Sequence, residues 1–244
     1  MKNFCNKLIL GLIFTFAVMI VGCDKETSPA GPTPTPKPTS PKVSFNGPST
    51  QSTNTYALQA QGFSQMFNGF ATQFGALTSM PGGTQTGNTW TYSYTVQGFT
   101  ETITVELLGD GSYRWKVIFN GTEPGDTVGF QNWTAFEGTS SADGKSGSWK
   151  FYEMNKTVLE AELSWTTDAQ GNESGILKSY SAGVLDQELD ILNNIDGSGS
   201  LKSYDKKSGS TTMYKNLEIT WIANGTGTYK VYNDAGTITA QGIF

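Results

Sequence analysis

No histidine occurs anywhere in this chain. With it go the commonest general base, the Ser-His-Asp arrangement and every histidine-ligated metal. Arginine is almost as scarce, Arg114 standing alone. Acidic residues outnumber basic ones by 21 to 16, for a formal net charge of −5. A surface that holds nucleic acid needs the opposite sign, so no nucleic acid partner is expected. Cysteine occurs only at Cys5 and Cys23, so past residue 23 there is no disulfide, no cysteine zinc site and no thiol nucleophile. Hydrolysis by a carboxylate pair needs only two acids at a set separation, which a sequence does not supply. Acids scattered along strands read instead as solvated surface. No cofactor is expected, and no enzyme.

What is present begins with "LILGLIFTFAVMIVG", preceded by Lys2 and Lys7. About fifteen apolar residues are too few for a membrane span of roughly 20 and suit an export signal. The run closes on "IVGC", Ile20-Val21-Gly22-Cys23, which resembles the lipobox of bacterial lipoproteins. The resemblance implies cleavage after Gly22 and acyl chains on Cys23, each buried methylene contributing about 0.8 kcal/mol. It places the domain in the bacterial cell envelope, held to the inner or the outer membrane. Loss of Lys2 and Lys7 with the leader would take the net charge from −5 to about −7. Residues 23–48 follow with seven of the nine prolines. Such a segment favours extended polyproline II and reads as a stalk.

Residues 49–244 form one domain, long enough for a single core. Between Ser52 and Met80, apolar residues recur at Tyr56, Ala60, Phe63, Phe67, Phe70, Phe74 and Leu77. Spacings of four and three put them on one stripe of an α-helix, ended by Pro81 and two glycines. Intrinsic propensity is poor, because Gly62, Gly69 and Gly75 each cost about 1 kcal/mol relative to alanine. Docking of the phenylalanine stripe on a sheet must hold the helix. From Trp90 onward the period is two: "WTYSYTV", "ETITVELL" and "GDGSYRWKVIF" alternate apolar and polar residues, the mark of antiparallel strands with one buried face. Asp-Gly and Asn-Gly pairs supply hairpin turns.

Four segments share the pattern small-Gly-x-apolar-Lys-x-Tyr: "SGSWKFY" (146–152), "SGILKSY" (174–180), "SGSLKSY" (198–204) and "TGTYKVY" (226–232). Their starts lie 28, 24 and 28 residues apart, a period that signals a repeated supersecondary unit. Alternation turns Trp149, Leu177, Leu201 and Tyr229 to one face and Lys150, Lys178, Lys202 and Lys230 to the other. Intervening acidic segments put Leu159, Leu185 and Leu217 inward and Glu160, Asp186 and Glu218 outward. Opposite charges on neighbouring strands then fix the register. "DGSGSLKSYD" (196–205) lacks the strand–loop–helix setting of a phosphate loop and the ligand series of a calcium loop. Its Gly-Ser reads as hairpin punctuation. Tyr152, Tyr180, Tyr204 and Tyr232 share the lysine face; on alternate strands they would stand about 10 Å apart, a pitch suited to stacking on a glycan.

The expected fold is mainly β: a helix on a curved antiparallel up-and-down meander, or open barrel, of about ten strands. The close, "KVYNDAGTITAQGIF", resembles the Tyr-x-x-x-Gly hairpins of MORN-variant repeat proteins, from which the long acidic strands depart. A helix on an antiparallel sheet, exported and lipid-anchored, is also similar in architecture to open-barrel lipoprotein carriers. The expected role is a non-enzymatic binding or structural module of the envelope. An apolar ligand would lie between helix and sheet, lined by Phe67, Phe70, Trp90 and Trp115. A glycan or envelope protein would instead meet the tyrosine row.

Overall fold

The computed structural model describes residues 39, 42–48, 52–78 and 83–244, apart from 124 and 126; within 73–78 only the backbone is described. Cys23 and the leader lie outside the described residues. One helix, α1 (Thr55–Thr78), precedes thirteen strands: β1 (Thr84–Thr86), β2 (Thr89–Val96), β3 (Phe99–Leu107), β4 (Tyr113–Gly121), β5 (Phe130–Ser140), β6 (Ser146–Tyr152), β7 (Leu159–Thr167), β8 (Glu173–Ser181), β9 (Val184–Asn193), β10 (Gly199–Lys206), β11 (Met213–Trp221), β12 (Gly227–Tyr232) and β13 (Ile238–Ile243). Each strand pairs antiparallel with its sequence neighbours, in the order β1 to β13, so the meander stays open. There are thirteen strands against about ten expected. Among the described residues no helix is long and apolar enough to cross a membrane.

Asn54 caps α1 by accepting the Tyr56 N–H on its side-chain oxygen at 2.9 Å, filling one of the donors that a helix start leaves open. The phenylalanine stripe then faces the sheet, with Ala60, Phe63, Phe67 and Phe70 all buried. Tyr56 stacks on Tyr229 of β12 with centroids 4.0 Å apart, and Phe70 meets Phe151 of β6 at 5.7 Å. About 21 Å of helix axis separates those anchors, against about 29 Å for six inter-strand spacings. The helix therefore crosses the strands instead of running along them. Residues 42–48 lie against the same domain: Phe45 is 2% exposed, its ring is 5.1 Å from Phe67, and Asn68 bonds both its N–H and its carbonyl.

The repeat glycines have a role that alternation alone hides. Gly197 makes the turn before β10, at φ +84°, with Asp196 accepting the Ser198 N–H at 2.8 Å. Gly199, two residues on, faces inward. A Cβ there would stand 2.3 Å from the Trp221 ring. Gly147 and Gly175 are the register partners of Trp165 on either side, and Gly199 and Gly227 are those of Trp221. The Trp165 ring thus lies over Gly147, and the Trp221 ring over Gly199. Only Gly197 of "DGSGSLKSYD" is hairpin punctuation; Gly199 is part of the core.

On the outer face the charge comb is present with its register corrected. Lys116, Glu137, Lys150, Glu162, Lys178 and Glu188 are consecutive cross-strand partners from β4 to β9. Asp190, Lys202, Glu218 and Lys230 continue it to β12. Glu218 is the partner expected, but Glu160 and Asp186 are not. The register shifts at Phe151/Tyr152 and at Ser179/Tyr180, leaving Glu160 and Asp186 as the extra residues of β-bulges. Leu159 and Leu185 then pair with Tyr152 and Tyr180 and share their outer face, while Leu217 points inward with 0% exposure. A bulge inserts one residue and inverts the alternation beyond it. Shifts also fall at Ser203/Tyr204 and Val231/Tyr232, so all four repeat tyrosines sit at bulges.

Candidate functional site: a cleft between β5 and the β6–β7 loop

The four tyrosines share the outer face on alternate strands β6, β8, β10 and β12, but they do not form a free aromatic row. Tyr152 donates its hydroxyl to Glu137 at 2.7 Å, Tyr180 to Glu162 at 2.5 Å and Tyr232 to Glu218 at 2.9 Å. Lys215 stands 4.5 Å above the Tyr232 ring. Tyr204 is the register partner of Glu188. Burial, then the Glu137 hydrogen bond and charge, push the Tyr152 phenol up to about 12. These rings are half-buried members of the charge comb.

Tyr152 differs from the others in what lies beside it. It lines a surface cleft of about 610 Å³ together with Trp133, Glu137, Asn132, Asn155 and Lys156. The cleft exists because β5 is irregular. Its register against β4 shifts twice, between Val117 and Ile118 and between Phe119 and Gly121, and Asn132 takes a positive φ of 49°. Asn132 is held there through its N–H, which the Asn120 side chain accepts at 3.2 Å. The loop between β6 and β7 forms the opposite wall. Asn155, at φ 56°, accepts the Gln131 N–H at 3.1 Å and donates to the Gly129 carbonyl at 2.9 Å. Lys156 is turned to Glu153 at 2.6 Å.

The result is a cleft in which Tyr152 stands on the outer face among amides, one carboxylate and one ammonium, while the Trp133 ring, the register partner of Phe119, belongs to the inner face. There Trp133 is a member of an aromatic cluster: it stacks on Phe130 at 5.4 Å and touches Phe119 at 5.8 Å. Its indole N–H is buried without a hydrogen-bond partner. Glu137 is the single carboxylate lining the cleft, so the cleft does not hold the two-acid geometry that glycoside hydrolysis uses. Among the described residues no group of three or more acidic, cysteine or histidine side chains is placed to hold a metal.

The chain matches no protein-family model and no curated protein.

Phe67, Phe70, Trp90 and Trp115, expected to line an apolar cavity, are 2%, 4%, 5% and 1% exposed. Each meets another ring: Phe67 meets Phe45, Phe70 meets Phe151, Trp90 meets Tyr113 and Trp115 meets Trp149. Trp115 also donates to Ser140 at 2.9 Å. Sequence reasoning missed Trp133, because the two bulges in "FQNWTAFEGTS" erase the alternation that marks the other strands. The available signal was compositional: an aromatic residue among Asn and Gln, outside any apolar pattern.

Proposed function

We propose that this chain is a lipid-anchored bacterial cell-envelope module that binds a glycan without catalysis, in the cleft between β5 and the β6–β7 loop. The observation that carries the reading is Tyr152 set among amide and carboxylate groups in one open cleft. Sugar rings present apolar C–H faces and a rim of hydroxyls. The Tyr152 ring takes the first, and Asn132, Gln131 and Glu137 take the second. The membrane is reached through acyl chains on Cys23, a reading supported by "IVGC" and by the proline-rich segment after it. A carrier of an apolar ligand under α1 is less favoured, since the rings expected to line it are engaged with one another. A row of four stacking tyrosines is less favoured too, since Tyr152 alone of the four lines the cleft.

Binding of the protein to a panel of neutral and anionic polysaccharides, by affinity electrophoresis, tests this. Tyr152→Ala and Asn132→Ala should each weaken retention by roughly tenfold or more, the loss of about 1.4 kcal/mol, while Tyr180→Ala and Tyr232→Ala leave it unchanged. Equal losses at all four tyrosines would move the site to the whole row. Retention of no glycan, with a lipid found by native mass spectrometry on protein from its own host, would return the apolar carrier.

A further inference from the structure

The repeat glycines are not used alike. A Cβ at Gly147 or Gly199 would strike a tryptophan ring, but one at Gly175 would stand 2.7 Å from the Phe67 ring, 2.9 Å from the Phe45 ring and 3.1 Å from Ile191. The second repeat thus keeps its space for two phenylalanines. One belongs to α1. The other belongs to residues 42–48, which are neither helix nor strand.

This segment is held by side chains of the domain that reach its main chain. The Ser44 N–H lies 3.1 Å from both carboxylate oxygens of Glu173, the first residue of β8. Asn68 accepts the Phe45 N–H at 2.7 Å and donates to the Phe45 carbonyl at 2.9 Å. A Cβ on Gly47 would stand 2.7 Å from the Gln61 Cα and 3.2 Å from the Ser64 hydroxyl. Gln61, Ser64 and Asn68, three and four positions apart, line one side of α1. Phe45 and Pro48 are buried, while Lys42, Ser44 and Asn46 are exposed. An amide that takes both the N–H and the carbonyl of one residue reads an extended main chain. The space over Gly175 reads one aromatic ring, and the approach at residue 47 admits a glycine. Main-chain bonds joined to a pocket for a single side chain are the means by which proteins recognise extended peptides. The residues that do the holding lie 23 and 129 positions from those they hold, so the recognition does not require one continuous chain.

We propose that the channel between α1 and the start of β8 is a peptide-binding site, that Ser44–Pro48 is its ligand held within the chain, and that the same segment of a second copy is the partner it takes in trans. Every copy carries both the segment and the channel, so two copies that exchange segments keep every contact. Attachment favours a copy's own segment in dilute solution, and a rising concentration favours the exchanged pair. The channel shares no residue with the cleft beside β5, so the outcome does not bear on the glycan reading.

Two variants separate the parts. Phe45→Ala spoils the segment and leaves the channel; Asn68→Ala spoils the channel and leaves the segment. A labelled peptide of sequence KVSFNGP, followed by fluorescence anisotropy, should bind Phe45→Ala at least tenfold more tightly than the parent, whose own segment competes. Adding Asn68→Ala to Phe45→Ala should weaken that binding roughly tenfold, since two hydrogen bonds are lost. Immobilised Asn68→Ala should retain untagged Phe45→Ala, and immobilised Phe45→Ala should retain no second Phe45→Ala. Gly47→Ala, which drives the segment against Gln61 and leaves the channel intact, replaces Phe45→Ala should the latter fold poorly. Failure of the peptide to bind a folded Phe45→Ala or Gly47→Ala, or equal binding with and without Asn68, overturns the site. Peptide binding without retention between the two variants overturns the second copy as partner.

Discussion

The stretch from β6 to β12 and the stretch from β2 to β5 are built from the same kind of strand, yet they differ in how regularly their outer charged groups are paired. In the first, every repeat lysine has an acid as register partner, three of the four tyrosines have a glutamate, and Trp165 and Trp221 each have a glycine as register partner on both sides. In the second, β5 slips register twice against one neighbour and a cleft opens beside it. Repetition lets one good local solution be copied, because each hairpin meets the same neighbours. The non-repeating end has no such template, and its slips of register open the cleft.

The largest expected effect tests the copied half. Trp149 is 0% exposed, and Trp149→Ala should cost about 3–5 kcal/mol, read as a lower urea midpoint. If instead the protein barely responds, the repeat core is not what holds the sheet. Glu101→Gln probes the other half with the opposite sign. Its folded-state value, raised by burial to about 7, lies above the ordinary 4.5, so ionisation is disfavoured in the folded protein. Its contribution to stability is full below about 4.5 and falls as pH rises through 7. The variant should match the parent near pH 4 and exceed it by up to roughly 3 kcal/mol at pH 8.5; parallel pH–stability curves would contradict this. Tyr180→Phe removes the bond to Glu162 and should cost about 1 kcal/mol, detectable as a small fall in melting temperature. Smallest is Lys178→Met. Its contact with Glu188 is 3.6 Å and partly exposed, so a loss under about 1 kcal/mol is expected, shrinking further in 1 M salt.

The same contrast governs what could be read before the fold was known. The helix stripe was legible because Ala60, Phe63, Phe67 and Phe70 obey a period that only one structure uses. The lysine faces were legible for the same reason. Glu160 and Asp186 were misassigned because a bulge adds one residue without changing composition, and alternation read straight through it gives the wrong parity. Gly199 hid its function since a glycine carries no side chain to betray which face it serves; its meaning depends on Trp221, twenty-two positions later. Glu101 was available in "FTETITVEL": parity with Phe99 and Ile103 puts a carboxylate on the buried face. Phe45 gave no warning, because a single aromatic residue near seven prolines has no period at all.

The glycines paired with tryptophans also bear on how such a chain can lengthen or shorten. Trp165 pairs with glycines of β6 and β8, and Trp221 with glycines of β10 and β12; the charge comb changes sign from each strand to the next. Excising one strand would set lysine against lysine and tryptophan against a side chain. Excising two restores both. Descendants of this gene should therefore vary in even steps, each changing the width of the sheet by about 10 Å, and an odd-numbered repeat array would be the exception that needs a compensating mutation.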